Sequence, residues 1–101
     1  MSAMLAAFAI APLGKGESVA ADVAEVVRMV RASGLPNETN AMFTNVEGEW
    51  DEVMALIKAC TERVAESAGR VSLVVKVDYR PGVTGALSSK VRAVEELLSQ
   101  G

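Results

Sequence analysis

The densest gathering of groups able to meet a small polar molecule is the stretch NAMFTNVEGEW, Asn40 to Trp50. It holds the amides of Asn40 and Asn45, the hydroxyl of Thr44, the carboxylate of Glu47, the thioether of Met42 and the rings of Phe43 and Trp50. Amides both donate and accept hydrogen bonds, a carboxylate answers a cation, and rings flank a flat body. On an extended backbone these side chains cannot all face one way. Thr44 shares parity with Asn40 and Met42, whereas Asn45 shares it with Phe43 and Glu47. The plain structural reading of the stretch is an edge hairpin whose polar side chains are solvated, a common protection against aggregation.

Elsewhere the sequence narrows the chemistry by what it lacks. With no His, it has no Ser/His or Cys/His nucleophile arrangement and lacks the usual nitrogen ligand for transition metals. Catalysis would rest on carboxylates, Lys or Tyr. Cys60 is the sole cysteine, so no intrachain disulfide forms and no cysteine cluster holds zinc. Its place on an apolar stripe makes it a small core residue rather than a nucleophile. GKGES, from Gly14 to Ser18, lacks the length and the Gly-Lys-Ser/Thr ending of a phosphate loop. Ser18 reads as a helix N-cap, beside free N–H groups that could face a polar ligand. Lys76, Asp78 and Arg80 share one strand face and read first as an interface ion-pair set, then as ligand contacts.

The elements that position these residues follow from periodicity. Met4 to Leu13 alternates between a large face (Met4, Ala6, Phe8, Ile10) and a small one (Leu5, Ala7, Ala9, Ala11), as in a strand buried on both sides. The run LAAFAIA also invites comparison with a secretory signal. It lacks a basic residue before the apolar run, however, and is shorter than the roughly 20 residues a membrane-spanning helix needs. A helix follows with Val19, Val23, Val26, Val27 and Val30 on one stripe, ending at Ser33-Gly34. Two short strands, or one bent one, are expected at 38–42 and 44–48. A second helix carries Trp50, Val53, Met54, Ile57, Cys60 and Val64 as its buried stripe and ends at Ala68-Gly69. Arg70 to Arg80 alternates most cleanly, with Val71, Leu73, Val75, Val77 and Tyr79 on one face. Leu87, Val91, Val94 and Leu98 mark a last amphipathic helix.

The order strand, helix, strand, strand, helix, strand, helix predicts one α+β domain over residues 1–101. It is a ferredoxin-like βαββαβ sandwich with an additional C-terminal helix. Two helices cover one sheet face, and the apolar open face predicts packing against another subunit. A net charge of −3 gives no general field for phosphate backbones, so nucleic acid is not an expected partner. An RNA-recognition module would need aromatics on the open face, and Phe8 and Tyr79 fall on the other.

FAIAPLGKGESVAADVAEVV, NAMFTNVEGEWDEVMALI and VSLVVKVDYRPG together resemble the thiamine-binding proteins of ferredoxin-like fold. The likeness runs from Phe8 to about Leu98, carried by Pro-Leu-Gly-x-Gly-x-Ser, Met-x-Thr-x-x-Glu-Gly and a Lys-x-Asp strand end. It implies a cytoplasmic homotetramer, built by packing sheets, that binds thiamine or its hydroxymethylpyrimidine part without an established reaction. No membrane and no metal or other cofactor is implied. Phe43 and Asn40 depart from the family pattern, which leaves thiamine, its phosphates and hydroxymethylpyrimidine open as ligands. Thiamine joins an aminopyrimidine to a permanently cationic thiazolium. The resemblance therefore puts Ser18, Asn40, Met42, Thr44, Asn45 and Glu47 at the ligand, with the amides and hydroxyl on the pyrimidine edge and Glu47 for the charge. The alternative class is a small enzyme on the same fold, an acylphosphatase-like hydrolase or dimeric oxygenase. An acylphosphatase would want an Arg in the loop after the first strand, where only Lys15 stands.

Overall fold

Alternating side chains commit the first segment to a strand, and its two faces meet different surroundings. In the computed structural model, which describes residues 4–14, 19–82 and 84–100, strand β1 runs Met4–Pro12. Met4, Ala6 and Phe8 are fully buried, whereas Leu5, Ala7 and Ala9 opposite them are only half-buried. Helix α1 follows at Ala20–Ala32, strands β2 at Asn37–Thr39 and β3 at Thr44–Gly48, helix α2 at Trp50–Ala68, strand β4 at Val71–Tyr79 and helix α3 at Ala86–Gln100. The four strands form one antiparallel sheet in the order β2-β3-β1-β4. This is the expected split βαβ arrangement, in which each crossover helix skips the strand inserted between its two partners.

Helices α1 and α2 cover the face that carries Met4, Ala6, Phe8 and Val46. Val26 and Val30 of α1 and Val53, Ile57, Cys60 and Val64 of α2 complete the core. Apolar residues at spacings of three and four place these side chains on one stripe of each helix. Burial pushes the Cys60 thiol up to about 11, as an apolar surround disfavours the thiolate. On the outer side of the helix pair, Arg63 of α2 reaches Glu25 of α1 at 3.8 Å and Glu66 at 3.1 Å.

Two expectations need correction, and a third falls outside the described residues. The strand expected at 38–42 stops at Thr39, because Asn40 turns the chain instead. Its Oδ1 accepts the backbone N–H groups of Met42 and Phe43, both at 2.9 Å, and its own N–H donates to Phe43 O at 2.9 Å. Such side-chain bonds compete with the strand ladder and close a hairpin. Trp50, expected in the core, is 48% exposed. It is the first residue of α2 and stands beyond the apolar stripe, edge-on to Tyr79 at a centroid distance of 5.8 Å. The N-cap expected at Ser18 lies outside the described residues; the residue at the helix start, Val19, makes no side-chain cap bond.

Candidate functional site

The sheet register decides which functional groups share a surface. On the open face, Asn45 of β3 pairs with Ala7 of β1, and Ala7 pairs with Lys76 of β4. The adjacent row reads Glu47, Leu5, Asp78 in the same strand order. Two small apolar residues thus form a floor, with an amide and a carboxylate on one side and an ammonium and a carboxylate on the other. Lys90, from the first half of α3, reaches across to the Asp78 carboxylate. The hydrogen bond and charge of Lys90 hold Asp78 below its usual range, with Arg80 and Lys76 adding to the effect.

These groups line a cavity of about 530 Å³ on the open face, bounded by Leu5, Ala7, Asn45, Lys76, Asp78 and Lys90, with Tyr79 at its rim. Asn45 spends one Nδ2 donor on Glu38 O at 3.3 Å, which leaves the amide oxygen to accept. A second cavity, of about 140 Å³, sits at the hairpin tip between β1 and α1, lined by Phe8, Val26, Asn40, Met42, Phe43 and Thr44 among others. Small-molecule sites usually enclose about 300–1,000 Å³, so the open-face cavity has the capacity and the hairpin cavity lacks it.

The six residues expected at the ligand therefore do not come together. Asn40, Met42 and Thr44 surround the hairpin cavity, and Thr44 is buried against Phe8, its partner in the register. Asn45 and Glu47 lie on the open face, and Ser18 is outside the described residues. Glu47 is 5% exposed, and its Oε2 accepts the backbone N–H of Ala86 at 2.7 Å. A carboxylate at the first residue of α3 satisfies an orphan donor and suits the positive end of the helix dipole. Lys76 and Asp78 were already legible as a shared strand face; Leu5, Ala7 and Lys90 were not singled out. Parity could have found Leu5 and Ala7, but nothing local in the sequence points Lys90 toward Asp78.

The family model described as thiamine-binding protein matches residues 6–95. The chain belongs to the thiamine-binding protein family. A UPF0045 protein of Mycobacterium bovis is 55% identical over 96 residues, covering 94% of each chain. A UPF0045 protein of Synechocystis is 38% identical over 90 residues, 88% of this chain and 74% of the relative. Among solved structures, a hypothetical protein of Methanocaldococcus jannaschii superposes with a TM-score of 0.86 at 33% identity, over 95% of this chain and 99% of that one. A candidate thiamine biosynthesis/salvage protein of Thermotoga maritima gives 0.77 at 22% identity, over 88% and 98%. At that identity the likeness bears on the fold alone. The superposition on the Methanocaldococcus jannaschii structure also supports the α+β, ferredoxin-like architecture.

Proposed function

We propose that this chain binds thiamine or its hydroxymethylpyrimidine part, without transforming it, in the open-face cavity and as part of a homo-oligomer. The role is that of a carrier, buffer or sensor. The observation that carries the reading is the row geometry: Asn45 and Asp78 stand diagonally, in adjacent rows, on opposite sides of the Leu5 and Ala7 floor, in a chain of the thiamine-binding family. The amide answers the donor and acceptor edge of the aminopyrimidine. The carboxylate answers the thiazolium, and the hydrogen bond and charge of Lys90 favour its ionised form.

Calorimetric titration with thiamine and with hydroxymethylpyrimidine tests this directly. Asp78 is half exposed, and exposed charge pairs contribute about 0.2–1 kcal/mol, so Asp78→Asn should weaken thiamine by about 1.5- to 5-fold and spare the neutral pyrimidine. Asn45→Ala should weaken both. Unchanged binding of both ligands in both variants would place the site off this face.

A further inference from the structure

Two ammonium groups, Lys76 and Lys90, line the open-face cavity with one carboxylate, Asp78, while the other carboxylate of the two rows, Glu47, is buried and engaged by the Ala86 N–H. Lys90 already holds Asp78. The partners of Lys76 along its row, Ala7 and Asn45, carry no charge. Plain thiamine would bring a third cation to this surface. A phosphate monoester brings about −1.5 to −2 charges at neutral pH, enough to reverse that sign even with a thiazolium attached.

We infer that the cavity selects a phosphate monoester of the thiamine type over the unphosphorylated compound, with Lys76 and Lys90 on the phosphate and Asp78 on the thiazolium. This rests on the reading of the open face as the ligand site. Lys76 and Asp78 point the same way from positions two residues apart, so their bases are separated by about 7 Å along the strand. The short arm between the thiazolium ring and its phosphate is of similar reach, so one ligand can engage both. The Lys90–Asp78 pair, with side chains 55% and 48% exposed, opens at little cost and exchanges its two partners for the two charges of the ligand. The apolar floor and Asn45 keep the ring system in place, which distinguishes this surface from a bare anion patch.

The full chain is titrated calorimetrically with thiamine, thiamine monophosphate, hydroxymethylpyrimidine phosphate and inorganic phosphate. We expect the monophosphate to bind about 5- to 50-fold more tightly than thiamine, a gap of the size hydrogen bonds to charged groups supply. The gap should narrow as salt rises. Lys76→Met, which keeps the apolar stem, should close most of the gap between the two ligands, and Lys76→Arg should retain it. Equal or weaker binding of the monophosphate overturns the inference and leaves the thiamine reading standing. Tighter binding of hydroxymethylpyrimidine phosphate than of thiamine monophosphate overturns the role given to Asp78. Inorganic phosphate binding as tightly as the ester overturns selection of the whole ligand. If none of the compounds binds, both the inference and the reading beneath it fail.

Discussion

Glu47 and Asp78 flank the same leucine on one row of the sheet, yet their surroundings assign them different work. Asp78 remains at the surface with an exposed lysine partner that it can exchange. Glu47 is sealed beneath the start of α3, where its carboxylate accepts the Ala86 N–H. Removing its charge should therefore be felt in stability before it is felt in binding. Glu47→Gln keeps an acceptor oxygen and loses the interaction with the helix dipole, a cost of about 0.3–1 kcal/mol. Glu47→Ala also strands the buried donor, which costs about 1–3 kcal/mol. Urea denaturation of the two variants should rank them in that order. Equal losses would mean that the charge, rather than the hydrogen bond, anchors the helix. Thiamine affinity should change less in Glu47→Gln than in Asp78→Asn.

At the scale of the elements, two glycines show how differently one residue type can be required. Gly69 closes α2 in the left-handed region, at φ 76°, with open space where a side chain would stand. Gly69→Ala should lose about 1–2 kcal/mol through backbone strain alone. Gly48 has no such dihedral demand, but a Cβ there would meet Leu35 at 3.1 Å and Val53 at 3.2 Å. Gly48→Ala tests how far the junction of β3 and α2 can yield; a crowded core site typically costs about 1–3 kcal/mol. Thermal unfolding of both variants checks the pair, and a site that relaxes freely would leave Gly48→Ala at wild-type stability.

The same elements explain what could be read from the sequence. Alternation in β1 and β4 and the apolar stripes of the helices are local patterns, so the element order, the C-terminal ends of α1 and α2 and much of the core were legible, although Val19 and Val23 of the expected α1 stripe are exposed. The extent of β2 was not, because the Asn40 side chain competes with the ladder and ends the strand after three residues. Trp50 has the right spacing for the stripe of α2 but sits at its first residue, past the covered surface. The site was legible only in halves. Parity separates Thr44 from Asn45 and Glu47, but the juxtaposition of Asn45 with Lys76 depends on the registers of two long-range pairings.

The whole molecule is more extended than its length requires. Its Cα radius of gyration is 15.1 Å, against about 13 Å for a chain of 100 residues, and its longest extent is 47 Å. Helix α3 accounts for much of this. Ala86 and Leu87 are half-buried and Lys90 reaches Asp78, but Val91 and Val94 are each 56% exposed, and Leu97 and Leu98 more so. Isolated helices shorter than about 12–15 residues are marginal in water, so the free part of α3 needs a surface to cover its apolar stripe. The open sheet face, with Leu5, Ala7 and Ala9 half-buried and Val74 exposed, needs one as well. A second copy of the chain would supply both surfaces at once, and closed symmetric assembly is the usual outcome when a surface complements itself. Sedimentation equilibrium should therefore find an oligomer at micromolar concentration, and a tetramer if the expectation from the family resemblance holds. Replacing both Val91 and Val94 by Glu should shift it toward monomer and lower the helical signal, as the end of α3 frays without its cover. A wild-type chain that sediments as a monomer with α3 fully helical would show that the exposed stripe is stable alone, and would remove the physical reason for assembly.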